Sequence, residues 1–216
     1  MPRHQSASGI RSVSDTVRYT GRYKADLAGG SLKVAESRVV AALLLEGVTA
    51  EAWTDAIVHR NVLQKRSQHT ATRQASLIRA RLVTMDAPLW RMVAEAPTAL
   101  ATQAVMAAAV KHSPLLADFL NSCYREQVRL FQPTLPHSLW PEFLDQCAAR
   151  DPLMPVWSDS TSAKLRENVF RILAECGYIE DTRRMKLQRV RLLPELVSYL
   201  RDSRNDAVLR CLDTTL

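Results

Sequence analysis

Capping residues, prolines and stop glycines follow one another along this chain at the spacing of short helices, and the stretches between them repeat their apolar residues every three or four positions. The clearest case is 161–176, where Leu165, Val169, Ile172, Leu173 and Cys176 share one face and Gly177 supplies the stop. Ser31 is placed to cap a helix through Leu32, Val34, Ala35, Val39, Leu43 and Leu44 that Gly47 closes. Thr49 is placed to cap the next, through Trp53, Ile57 and Val58. Asp86 with Pro88 opens a short helix through Trp90 and Val93, Pro97 leads into an Ala-rich helix at 98–112, and Ser113-Pro114 repeats the signal for 115–131. Two prolines make 132–136 a connection before a helix at 138–150 with Leu139, Phe143, Leu144 and Cys147 inward, and 151–160 is a second long connection. Pro194 begins a helix with Leu196, Val197 and Leu200, and a last one includes Val208, Leu209 and Leu212. Strand signals are scarce, so the expected fold is an all-α, compact multi-helix globule. The one exception is 186–193, where Leu187, Val190 and Leu192 sit among basic neighbours and permit a short extended or wing-like segment.

A chain of 216 residues can bury one core or two small ones. The pattern divides it into a flexible polar tail at 1–20, an N-terminal helical region at 21–135 and a C-terminal helical region at 136–216. The longest apolar runs, Val39 to Leu45 and Ala104 to Val110, fall far short of the roughly 20 residues that cross a bilayer, and the tail lacks the apolar centre of a secretory signal. Cys123, Cys147, Cys176 and Cys211 lie far apart and read as small buried hydrophobes in a reducing compartment. A cytoplasmic protein without membrane contact is expected.

Residues 60–85 stand apart, because Arg60, Lys65, Arg66, Arg73, Arg79 and Arg81 occur there with no Asp or Glu. At about 100° per residue, Ala71, Ala75, Ile78 and Leu82 fall on one side of a helix while His69, Thr70, Arg73 and Ser76 fall on the other. A helix made for solubility alone mixes signs and gains ion pairs three or four residues apart. The missing acid, together with a formal net charge of +7, points instead to a polyanion as ligand.

The chain also resembles itself. Ser67-Gln-His-Thr70-Ala-Thr-Arg73 and Ser158-Asp-Ser-Thr161-Ser-Ala-Lys164 share Ser-x-x-Thr-x-x-basic, and at the same offset Ile78 matches Val169 and Leu82 matches Leu173. Each copy follows a shorter amphipathic helix, at 50–59 or 139–150, which is the plan of a helix-turn-helix unit. The amino end of such a helix offers N–H groups and partial positive charge, so Ser67, Thr70, Ser160 and Thr161 are placed to bond a phosphate that Arg73 or Lys164 neutralises. The same hydroxyls serve equally well as plain helix caps. After Gly177, a second basic cluster resembles the wing that follows a recognition helix. The candidate DNA-binding residues are therefore Lys65, Arg66, Ser67, His69, Thr70, Arg73, Arg79 and Arg81 in the first unit, Thr161 and Lys164 in the second, and Arg183, Arg184, Lys186, Arg189 and Arg191 on the wing-like segment.

Further motifs run through nearly the whole chain after the tail: Leu27-Ala-Gly-Gly-Ser31, Glu36-Ser-Arg38, Leu43-Leu-Leu-Glu-Gly47, Asn61-Val-Leu-Gln-Lys-Arg-Ser67 with Thr70-Ala-Thr-Arg73, Leu115-Leu-Ala-Asp-Phe-Leu120, Trp157-Ser-Asp-Ser-Thr161 and Leu173-Ala-Glu-Cys-Gly-Tyr178. In this order and spacing they resemble the BrxA family, small core proteins of bacteriophage exclusion (BREX) phage-defence systems. The resemblance implies a cytoplasmic, all-helical, bacterial DNA-binding protein with helix-turn-helix elements. It also implies antiviral work beside a DNA methyltransferase and ATPase-type subunits, and it carries over no catalytic residues.

The residues themselves give an enzyme little support. His4, His59, His69, His112 and His137 lack metal-ligand spacing, there is no Gly-rich phosphate loop, and the acids form no nuclease set, so no metal, cofactor or catalytic group is expected. Glu36 and Asp118 read as ion-pair partners for Arg38 or Arg125. The expected function is a non-enzymatic component that grips the phosphates of double-stranded DNA. The alternative is an adaptor that assembles larger defence subunits with little direct DNA binding. Two similar units in one chain supply what a symmetric dimer usually supplies, so a monomer is expected.

Overall fold

Residues 21–214 are described by the computed structural model, and the tail expected at 1–20 lies outside the described residues. After a 3-10 turn at Ala25–Gly29, the chain forms α1 (Val34–Leu45), α2 (Ala50–Thr54) with a π turn at Asp55–His59, α3 (Gln68–Leu82), α4 (Ala87–Glu95) and α5 (Thr98–His112). There follow α6 (Pro114–Phe119), a π turn at Leu120–Tyr124, α7 (Arg125–Arg129), α8 (Leu139–Arg150), α9 (Asp159–Glu175), α10 (Pro194–Asp202) and α11 (Asp206–Leu212). The architecture is all-α.

The hub is α5, where Ala101 and every residue from Ala104 to Val110 are buried, so this helix is apolar all round in the way of a core helix. Its small side chains let α1, α3, α4, α6, α10 and α11 pack onto it. α1 and α4 pair closely, and Arg38 ties them by donating to the Ala94 and Ala96 carbonyls at the end of α4, at 3.0 and 2.6 Å. One continuous set of buried side chains runs from Tyr23 to Leu212. Its aromatic centre is Phe119, whose ring meets those of Trp140, Phe143 and Phe170 at 5.7, 5.1 and 5.5 Å.

Thr49, Pro97, Pro114 and Pro194 open helices where the sequence places them, with Thr49 accepting from the Ala52 N–H. Gly47 and Gly177 stop helices in left-handed conformation, at φ 64° and 77°. Three expectations are corrected. Ser31 caps nothing: it is buried, and α1 begins only after Lys33 turns left-handed at φ 53°. The reason is tertiary, since the backbone at 27–32 is held by side chains of other helices. Ser113 likewise gives its hydroxyl to Asp26 at 2.9 Å instead of capping α6. The helix expected at 115–131 is interrupted by the π turn and ends at Arg129.

The ion pairs also differ from expectation. Glu36 pairs with Lys65, not Arg38, and Asp118 takes a two-pronged bond from Arg22 at 2.9 Å and one from the Tyr23 hydroxyl at 2.6 Å, not Arg125. Arg125 instead donates to the Arg210 and Asp213 carbonyls. Cys123, Cys147 and Cys211 are buried and Cys176 is half-buried, all as free thiols, with burial pushing Cys123 up to about 11. Among the described residues, no helix is long and apolar enough to cross a membrane.

Candidate nucleic-acid interface

The two similar helices begin in the same way. The Ser67 hydroxyl accepts from the Thr70 N–H at 3.2 Å and donates to the Thr70 hydroxyl at 2.9 Å. The Ser158 hydroxyl accepts from the Thr161 N–H at 3.3 Å and donates to the Thr161 hydroxyl at 3.0 Å. α9 thus starts at Asp159, two residues before the sequence placed it, because Ser158 is the cap. Ile78, Leu82, Val169 and Leu173 are all buried, so the matched positions face inward in both copies. Ser67→Ala and Ser158→Ala are each expected to cost about 1 kcal/mol in chemical denaturation. A cost in one copy alone would end the equivalence.

The entrances differ in charge. α3 has no acid in its first turn, whereas Asp159 occupies the first turn of α9. The helix dipole at α9 is therefore partly answered from within, and its entrance suits an anion less well. Lys164 is exposed nearby, and Thr161 is half-buried in its capping role.

Ahead of α3, Asn61 stands in the left-handed region at φ 46° and closes the loop by donating to the Lys65 carbonyl at 2.8 Å and accepting from the Lys65 N–H at 2.9 Å. Asn tolerates this conformation better than most residues. The loop holds Lys65 half-buried on Glu36. Burial works to raise the Glu36 carboxyl, but the bond from Lys65, a backbone N–H and the charges of Lys65 and Lys33 outweigh it and hold the group below its ordinary value. Arg66, His69 and Arg73 remain exposed. Arg79 is exposed but lies over the Trp53 ring at 4.7 Å, and Arg60 pairs with Asp55 at 2.9 Å. The acid missing from the basic run is thus partly supplied by neighbouring segments.

Arg81 does not belong to the surface. It is 2% exposed and donates to the Ser31 carbonyl at 2.7 Å and the Gly30 carbonyl at 3.0 Å. Burial lowers its pKa to about 10 against the pull of Asp26 and Glu175, which leaves it charged at neutral pH. Helical angle alone did not mark it: Arg79 lies at least as near the Ala71, Ala75, Ile78 and Leu82 stripe and is exposed, so the strap that covers Arg81 decides its burial.

Arg81 is one arm of a clasp that sequence reasoning missed. From α9, Asn168 donates to the Leu27 carbonyl at 2.8 Å and Glu175 accepts from the Leu32 N–H at 2.9 Å. From α3, Arg73 approaches the Gly29 carbonyl at 3.4 Å and Leu77 packs on Gly29. The 27–32 strap is therefore gripped by both helices. Along each helix the contacts advance toward higher strap numbers, so the two amino ends lie toward the same end of the strap.

After Gly177 the backbone doubles back. Glu180 N–H donates to the Lys186 carbonyl at 2.9 Å and Gln188 N–H to the Tyr178 carbonyl at 2.9 Å, while Ile179 bridges Leu187 and Thr134 bridges Lys186. These are single bridges, not a strand, but the shape is a short wing. Asp181 closes its tip by accepting from the Arg183 and Arg184 N–H groups at 2.7 and 2.6 Å, bonds that hold its carboxyl below the usual range. Arg183, Arg184, Lys186, Arg189 and Arg191 are all exposed, with Arg184 also paired to Glu180 at 2.8 Å.

The BrxA family model matches residues 21–204 of the chain. A protein named BREX protein BrxA from Paramagnetospirillum magneticum is 54% identical over 90% of this chain and 98% of its own length. One of the same name from Escherichia coli is 38% identical over 91% and 90%. A crystal structure described as an uncharacterized protein from Magnetospirillum magneticum matches with a TM-score of 0.85 at 52% identity, covering 90% of this chain and all of that one.

Proposed function

We propose, from the premise that the chain belongs to the BrxA family and is a BREX component of phage defence, that it is a non-enzymatic, cytoplasmic subunit that grips the phosphates of duplex DNA. The grip is supplied by Arg66 and Arg73 at the amino end of α3 and by Arg183, Lys186, Arg189 and Arg191 on the wing after α9. The observation that carries this reading is the strap at 27–32, held by α3 and α9 in the same sense, with an acid-free entrance on one helix and a basic wing following the other. Arg81 is excluded by burial, Lys65 is neutralised by Glu36, and Ser67 and Thr161 serve first as parts of caps. Thr70 is likewise part of the Ser67 cap, and His69 lies exposed beside the entrance and lines the same track. Lys164 is a secondary contact because Asp159 shares its end of α9.

The test is the salt dependence of binding to duplex DNA. Six cations each meeting a phosphate predict a double-logarithmic slope of about −5.4. The protein acts as a monomer beside other BREX subunits, the methyltransferase and ATPase-type proteins.

One observation favours the adaptor reading. α8, the 152–157 loop and α9 border a groove of about 470 Å³ lined by Trp140, Leu144, Met154, Val156 and Trp157, and Val156 is fully exposed. A chain that captures another BREX subunit yet shows no duplex binding at low salt is an adaptor.

A further inference from the structure

α7 ends in a full two-bond stop. The Phe131 N–H donates to the Val128 carbonyl at 3.1 Å and the Gln132 N–H to the Gln127 carbonyl at 3.0 Å, with Leu130 as the last near-helical residue. This arrangement places the following residue in the left-handed region, where glycine is the usual occupant because a Cβ is strained there. The occupant here is Phe131, at φ 52°. Its ring gains nothing from the fold, since the residue is 83% exposed. Val83, Leu130, Leu153 and Val156 are also large, apolar and exposed, but among them and Phe131 only Phe131 is left-handed as well. A bulky aromatic that strains the backbone and is left in water serves neither propensity nor packing.

Its surroundings name an occupant. Three residues beyond Phe131, Thr134 bridges Lys186, the Leu135 N–H donates to the Met185 carbonyl at 2.9 Å and the Leu187 N–H to the Pro133 carbonyl at 3.0 Å. The turn that carries Phe131 is thus stitched to the basic wing, with at most about 11 Å of chain between Phe131 and Thr134. Arg129 just before it is taken up by Glu126 at 2.9 Å and Arg184 by Glu180 at 2.8 Å, which leaves Arg183, Lys186 and Arg189 as exposed cations on the wing. An apolar ring beside a row of cations matches the surface of a nucleic acid, whose charged backbone encloses stackable bases.

We infer that Phe131 is a base-contacting wedge: when the wing's cations hold the phosphates of a duplex, the ring enters the adjoining groove and partly unstacks a base step. This rests on the phosphate-gripping reading above and adds to it a contact that phosphate neutralisation does not provide. It needs no covalent step.

The experiment compares the full chain with Phe131→Gly and Phe131→Leu on duplexes carrying 2-aminopurine. Saturating wild-type protein is expected to change 2-aminopurine emission, as an unstacked base would. Phe131→Gly is expected to abolish that change and lower affinity about tenfold, with the salt slope altered by less than about one. Because glycine relieves the left-handed strain, the same variant is expected to melt about 2–4 °C higher. Phe131→Leu, an apolar side chain in the same place, keeps part of the emission change. Loss of binding with a lower melting point would make Phe131 a structural residue and overturn the wedge, as would full affinity and emission in Phe131→Gly. Loss of capture of another BREX subunit with DNA binding intact would also overturn it, in favour of a protein contact. Absence of duplex binding by the wild type at low salt would instead overturn the phosphate-gripping reading on which it rests.

Discussion

Replacing Arg81 by methionine is expected to lower the thermal midpoint by roughly 10 °C. Methionine fills most of the space, so the cost comes from what is left behind. The Gly30 and Ser31 carbonyls lose their donor inside the protein, at about 1–3 kcal/mol for each buried acceptor. Asp26 and Glu175 lose the positive charge that faces them. Removing one partner from a buried charged network typically costs about 3–5 kcal/mol, and for a chain of this size each kcal/mol moves the midpoint by about 2–4 °C. Arg81→Lys keeps the charge without the forked geometry and should recover only part of the loss. A midpoint within about 2 °C of wild type for Arg81→Met would mean that the strap does not depend on this clasp.

The second large effect is on binding. Changing Arg66, Arg73, Arg183 and Lys186 together to glutamine is expected to weaken duplex binding about a thousandfold near physiological salt. This takes on the order of 1 kcal/mol for each charged contact removed. The salt slope should become shallower by about 0.9 for each cation that met a phosphate, leaving it at about −2 for Arg189 and Arg191. All four side chains are exposed and Arg73 gives up no more than its long 3.4 Å bond to the Gly29 carbonyl, so the melting point should move little. Lys65→Glu is a poor choice for the same test, because it would set two carboxylates against each other at Glu36. Unchanged affinity in the fourfold variant would remove both the entrance of α3 and the wing from the DNA-binding reading.

Arginines of one helix therefore divide into two kinds. Arg73 and Arg81 lie eight residues apart in a run that contains no acid, and by composition they are alike. Arg73 is exposed while Arg81 is 2% exposed. Angle puts Arg73 opposite the Ile78 and Leu82 stripe and Arg81 at its edge, but Arg79 is as near the stripe and stays exposed, so it is the 30–31 backbone lying on Arg81 that buries it.

The Ser-x-x-Thr similarity was readable because caps are local. Whether Ser67 meets the N–H three residues on depends only on the backbone of one turn, and the same four residues give the same bonds at Ser158. Ser31 and Ser113 carry the same type of signal and cap nothing, because Arg81 and Glu175 hold the backbone at Ser31 and Leu32 outside the helix and Asp26 takes the Ser113 hydroxyl. All three partners are remote in sequence. The charge pattern shows the same division: the acid-free run is local, whereas Glu36, which answers Lys65, lies 29 residues away.

Periodicity, caps, proline and glycine determined the helices, their order and the all-α class, because each of these acts within one or two turns of the chain. The tertiary structure alone decided that the 27–32 backbone lies between α3 and α9 and that the wing is stitched to the turn bearing Phe131. Those arrangements rest on hydrogen bonds between groups 44 to 143 residues apart, such as Arg73 to Gly29, Arg81 to Ser31 and Glu175 to Leu32, which no local pattern encodes.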